Sequence, residues 1–130
     1  MFLFLLGLLT GFVMPALTNP RLGLSAHMEA LLSGMVLIII GGVVWRNLKL
    51  SRRMEAISFW LFLYAAYANW AFCLLAAIFG ANEVLPIASA GYSVAPWQEI
   101  PVKMGLGLSA LSITCACVFV LYGLREEAER

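Results

Sequence analysis

Charge is what this chain has least of. Lys and Arg together number 8 and Asp and Glu 7, so charged residues make up 12% of the sequence and the net charge is +1. That balance gives nucleic acid no electrostatic handle. Histidine occurs once, as His27. A bis-histidine metal site within one copy of the chain is therefore excluded. Cysteine is scarce too: Cys73, Cys115 and Cys117 all lie in apolar runs and form no Cys-x-x-Cys pair. They read as small packing residues, not as a disulfide framework or zinc site. No Ser/His/Asp arrangement, glycine-rich phosphate loop or paired-carboxylate pattern is visible, which argues against a hydrolase or nucleotide enzyme.

Apolar residues are present in excess, at 63% of 130 residues. A water-soluble domain of this size has too much surface for its volume to hide them. The chain is long enough for one domain. Four apolar segments approach or exceed the length of about 20 residues that a helix needs to cross a bilayer. They cover roughly residues 2–17, 22–45, 54–79 and 101–124, and the expected fold is all-α, a four-helix transmembrane bundle. The first segment lacks a basic leader and a small-x-small cleavage site, so it reads as a retained helix and not a signal peptide. Its Gly7 and Gly11 form a Gly-x-x-x-Gly pair that lets another helix approach. Pro15 breaks it near its end.

The loop between the second and third segments carries Arg46, Lys49, Arg52 and Arg53 and no acidic residue. The positive-inside rule places it in the cytoplasm, as expected of a multi-pass protein of the cell inner membrane. Four spans then put both termini on the cytoplasmic side, in agreement with Arg125 and Arg130. Trp45, Trp60 and Trp97 fall near predicted helix ends, where interfacial tryptophan is common.

Few polar residues lie inside the spans, and these are the candidate functional groups. His27 sits about one turn into the second helix. It is either an interfacial side chain bonded to its neighbours or an iron or haem ligand. With one histidine per chain, a haem would either draw a second ligand from another subunit or keep an open iron position. The open position suits Lewis-acid chemistry on a substrate oxygen better than electron transfer. Glu29 lies about 200° round the helix from His27 at about 100° per residue, and one turn from Ser33. Ala30, Gly34, Gly41 and Gly42 thin the second helix, for a neighbouring helix or for a flat cofactor. On the third helix Tyr64 and Tyr67 share a face, while Asn69 points elsewhere and needs partners. These serve a substrate or an interhelical hydrogen bond. Glu99 suits a helix N-terminus and is spaced to pair with Lys103.

The runs Arg21-Leu22-Gly23-Leu24-Ser25-Ala26-His27-Met28-Glu29 and Tyr64-Ala65-Ala66-Tyr67-Ala68-Asn69-Trp70, with the corner Pro96-Trp97-Gln98-Glu99, resemble hydroxylaminobenzene mutases and the similar styrene oxide isomerases. The resemblance covers nearly the whole chain. It implies a membrane isomerase of small aromatic substrates, turning an arylhydroxylamine into an aminophenol or an aryl epoxide into an aldehyde. It further implies haem b between the subunits of a homo-oligomer, a trimer, with His27 as axial ligand and Tyr67 at the substrate. Ser33 stands where the related pattern has asparagine, and a hydroxyl differs from an amide in reach and donor capacity. Ser33 and Asn69 are the secondary substrate contacts on this reading. The competing reading is a non-enzymatic haem-binding or structural membrane subunit.

Overall fold

A computed structural model describes residues 1–128. Glu129 and Arg130, the latter invoked above for orientation, lie outside the described residues. Helix α1 spans Phe2–Val13 and ends in a 3-10 turn, Met14–Ala16, at Pro15. Helix α2 spans Pro20–Gly42 and runs into a second 3-10 turn, Val44–Asn47. Helix α3 spans Arg52–Phe79 and α4 spans Pro96–Ala128. The order is up-down-up-down, with α1 against α2, α2 against α3 and α3 against α4.

The boundaries differ from the expected 2–17, 22–45, 54–79 and 101–124 for local reasons. Asn19 caps α2 two residues early: its side-chain oxygen accepts from the N–H groups of Arg21 and Leu22 at 3.0 and 3.3 Å, and Pro20 opens the helix without losing a bonded N–H. Ser51 caps α3 in the same way through the N–H of Met54. Helix α4 begins at Pro96 and carries Pro101 inside its second turn. It then continues through the tail that charge alone marked as its end. At 12 residues α1 is about 18 Å long at 1.5 Å per residue, short of the ~30 Å hydrocarbon core. The helical segments 20–47, 52–79 and 96–125 are long and apolar enough to cross a membrane.

The bundle is apolar outside and small inside. Phe12, Trp60, Leu111 and Leu121 are exposed, at 83, 65, 66 and 65%. The buried positions include Ala26, Ala30, Ala65, Ala66, Ala76, Ala77 and Ala116. Large side chains facing outward suit a lipid solvent, where helix association depends on close packing of small residues and not on hiding oil from water. Gly7 and Gly11 behave as their spacing predicts. A Cβ at Gly7 would stand 2.9 Å from the Cβ of Ala30, and Gly34 receives the backbone of Phe4 at a similar distance. Gly41 and Gly42 take no neighbour within 4 Å, so the thin face of α2 is used only in its first half. Cys73 is buried, whereas Cys115 and Cys117 lie on the outer surface of α4.

The end of the bundle between α3 and α4 is tied by polar groups. Gly80 takes a left-handed conformation, φ 80°, to end α3. Buried Asn19 donates from Nδ2 to the carbonyl of Ala88 at 3.2 Å. Glu99 does not pair with Lys103. Its carboxylate accepts from the N–H of Asn82 at 2.6 Å, and Lys103 instead reaches Glu83 at 2.9 Å. The loop folds back over the start of α4, so the backbone donors reach Glu99 first.

Candidate functional site

Helix α2 presents its polar residues to two separate places. His27 is half-buried between α1 and α2, with Nδ1 2.7 Å from the carbonyl oxygen of Gly7. A carbonyl only accepts, so Nδ1 carries the proton and donates. Nε2 then keeps its lone pair and makes no hydrogen bond among the described residues. A histidine held through Nδ1–H by a backbone carbonyl, with Nε2 free, is oriented as metal-ligating histidines are. Gly11 makes the room: a Cβ there would stand 2.9 Å from Nδ1 and 3.0 Å from Cε1. No group of three His, Cys, Asp or Glu side chains able to hold a metal ion is found among the described residues. A single imidazole could hold iron only where a macrocycle supplied the remaining ligands.

Glu29 and Ser33 face the other way. One turn apart, they are joined by a hydrogen bond from Ser33 Oγ to Glu29 Oε1 at 2.6 Å. They line a cavity of about 220 Å³ with Asn69 of α3 and Ser109 of α4. Ala65, Ala66 and Ala110 keep its walls thin. The cavity shares Glu29, Asn69 and Ala110 with a wider cleft of about 640 Å³, whose far end reaches the Glu83–Lys103 pair. Ser109 donates to the carbonyl of Gly105 at 2.7 Å. The Asn69 carboxamide makes no hydrogen bond among the described residues. The interior partner that an amide in a span needs is therefore missing, and its donors and acceptor face the cleft.

The tyrosines divide as well. Tyr64 is 46% exposed. Tyr67 is half-buried and packs with Trp70 against the cluster of Leu3, Ala30 and Ala66. Beside it Trp70 Nε1 donates to Thr10 Oγ1 at 3.1 Å, tying α3 to α1. The structure thus brings Ser33 and Asn69 together around Glu29, and leaves His27 and Tyr67 flanking α1. Three polar residues escaped the sequence reading. Thr10 and Trp70 form a long-range pair with no local signal. The third, Asn19 ahead of Pro20, is a helix-cap pattern.

A family model described as styrene oxide isomerase matches residues 1–125. Hydroxylaminobenzene mutase HabB of Ectopseudomonas oleovorans is 41% identical over 129 residues, covering 98% of this chain and 78% of the relative. Hydroxylaminobenzene mutase HabA of the same organism is 37% identical over 123 residues, covering 94% and 90%. No solved structure gives a significant match.

Proposed function

The chain belongs to the styrene oxide isomerase family, and from that premise we propose that it rearranges a small aryl substrate within the membrane using haem b on His27. The activity is that of an isomerase, and the substrate is an arylhydroxylamine giving an aminophenol or an aryl epoxide giving an aldehyde. The observation that carries the haem assignment is the 2.7 Å bond between His27 Nδ1 and the Gly7 carbonyl. It fixes the tautomer and leaves Nε2 to bind iron.

Haem, when bound, supplies a ferric Lewis acid for a substrate oxygen. The chain's own residues do the rest. The Gly7 carbonyl holds the Nδ1 proton and stops the ring from turning. Tyr67, packed beside α1, orients the aryl ring. Asn69 offers N–H donors to the substrate's polar end, with Ser33 beside it. The low-dielectric surroundings strengthen those hydrogen bonds and keep water from the reacting bond.

His27 and the Ser33–Asn69 cleft lie on different sides of α2, so they serve one substrate only when a second copy supplies the other half. A homo-oligomer, a trimer on the family resemblance, meets that need. The Arg46–Arg53 loop places its own end of the bundle, and with it the end of α4, on the cytoplasmic side of the inner membrane; the start of α1 joins them, giving two cytoplasmic termini, when α1 with its 3-10 turn crosses a locally thinned bilayer as the fourth span.

The test is the purified chain in mild detergent, supplied with haem. It should show a Soret band that His27→Ala abolishes, and it should isomerise N-phenylhydroxylamine or styrene oxide with no other protein present. Turnover that requires a second polypeptide would move the chain to the accessory-subunit reading. A Soret band unchanged in H27A would remove His27 as the ligand.

A further inference from the structure

We infer that Glu29 is the proton carrier for an arylhydroxylamine substrate, taking a proton from the ring carbon that receives oxygen and returning it to nitrogen. The inference rests on the isomerase reading above and names the substrate class of the cleft. Glu29 is half-buried within a helix long and apolar enough to cross the membrane. Ser33 holds Oε1 at 2.6 Å, while Oε2 accepts no hydrogen bond among the described residues and the side chain lines both the 220 Å³ and the 640 Å³ cavities. The other acids with described side chains are committed elsewhere. Glu55 accepts from Trp45 Nε1 at 2.7 Å, Glu83 pairs with Lys103, and Glu99 accepts backbone N–H groups. Glu55 too has a second oxygen and borders a cavity, but it stands in the first turn of α3 beside Arg52; Glu29 alone among them lies well inside such a helix with a free carboxyl oxygen and the polar cleft of Ser33 and Asn69.

The chemistry supplies the need. In the arylhydroxylamine the N–O bond breaks with its electron pair on oxygen, and the hydroxyl returns that pair to a ring carbon as a new C–O bond. A ring electron pair forms C=N. The product of this shift is an imine, isomeric with the substrate, whose oxygen-bearing carbon is saturated and still holds its hydrogen. Nitrogen has been reduced and carbon oxidised within one molecule. The carboxylate removes that proton, the C–H pair restores the aromatic ring, and the C=N pair moves to nitrogen, which recovers the proton from the carboxyl. No external oxidant, reductant or base is consumed. An aryl epoxide has no such requirement: its C–O bond opens, a hydride moves to the adjacent carbon and C=O forms, with every hydrogen staying on carbon. Glu29 therefore matters to one substrate class and not to the other.

The experiment uses the full chain, reconstituted with haem, and compares wild type with Glu29→Gln on N-phenylhydroxylamine, on its ring-deuterated form and on styrene oxide. General acid–base groups contribute about 10²–10⁴-fold. E29Q should lower kcat/KM for N-phenylhydroxylamine by about 100-fold and should expose a ring-deuterium isotope effect absent from wild type, with any styrene oxide turnover and the Soret band kept. Should E29Q not fold, Glu29→Asp keeps the acid but withdraws it by one methylene. It should show the same isotope effect with a smaller loss. Undiminished hydroxylamine turnover in E29Q overturns the inference and leaves the isomerase reading standing. An equal loss on both substrates without an isotope effect does the same, since a structural role predicts it. A wild-type protein that isomerises only the epoxide also overturns the inference alone. One that isomerises neither substrate overturns both.

Discussion

Replacing Gly11 by Ala tests the clamp on His27. The added Cβ would lie 2.9 Å from Nδ1 and 3.0 Å from Cε1 of the imidazole. Non-bonded heavy atoms of this kind settle near 3.5 Å or beyond, so the ring must retreat by about 0.6 Å. It is held by a 2.7 Å bond to the Gly7 carbonyl. A retreat of that size stretches the bond to about 3.3 Å, outside the good N–H···O range. The lost bond is worth about 0.5–1.5 kcal/mol. Its larger effect is on the direction of Nε2, because losing the partner that orients a metal-ligating histidine costs about 10–100-fold in affinity. Alanine also favours the helix over glycine by about 1 kcal/mol, which offsets the strain. On the haem proposal, G11A should therefore bind haem about 10–100-fold more weakly with little change in melting temperature. The control is Gly42→Ala, whose Cβ meets nothing within 4 Å. The assay titrates haem into apoprotein in detergent and follows the Soret band, beside a thermal melt. A G11A protein with wild-type haem affinity would refute the claim that the Gly7 carbonyl orients the ligand.

Three further substitutions probe the frame through thermal or denaturant unfolding in detergent. Asn19→Ala removes a cap on two N–H groups and the bond to Ala88; a loss of about 2 kcal/mol is expected, and an unchanged melt would deny that Asn19 joins the helix turn to the loop. Ser58 has a fully buried hydroxyl with no hydrogen-bond partner among the described residues, so Ser58→Ala should stabilise the fold by about 1 kcal/mol by removing an unsatisfied group. Gly105 lies against the ring of Phe72 with no room for a Cβ; Gly105→Ala should cost about 1–3 kcal/mol through overpacking, and adding Phe72→Leu should recover most of it. Failure of that rescue would mean that the two residues do not share the α3–α4 contact.

The apolar frame was legible because lipid imposes a simple requirement: long helices with satisfied backbones. Hydropathy therefore located the four segments, and the Gly7–Gly11 spacing marked a close helix contact without naming α2 as the partner. Ends were less legible. Asn19 and Ser51 set them through one or two side-chain hydrogen bonds, and the fourth helix, expected from residue 101, begins a turn earlier at Pro96. Partner choice was least legible. Glu99 and Lys103 have ideal helical spacing, yet the returning loop offers Glu99 backbone donors and offers Lys103 the carboxylate of Glu83. The tyrosine choice needed packing, since three-residue spacing places Tyr64 and Tyr67 on one face without saying which is covered.

The two-residue spacing from His27 to Glu29 has a stronger consequence than the identity of either residue. On an α-helix it turns a side chain through about 200°, and no rotamer change brings both onto one small molecule within a single chain. A local change could have merged them: an acid at position 30 or 31 would share the His27 side of the helix. Ala30 and Leu31 occupy those places instead, and both are taken up by α1, since a Cβ at Gly7 would stand 2.9 Å from Ala30 and 3.1 Å from the Leu31 side chain. The α1 contact that positions the imidazole thus excludes an acid from its side of α2. On the function proposed above, a catalytic acid works from the α3–α4 side, and it would meet a group on His27 across a boundary between copies. The prediction is an intermolecular one. Mixing H27A chains with E29Q chains should raise arylhydroxylamine turnover in the mixed oligomers well above that of either impaired parent, each supplying the half that the other lacks. Mixed oligomers no more active than their parents would place the whole reaction within one chain and refute the two-sided arrangement.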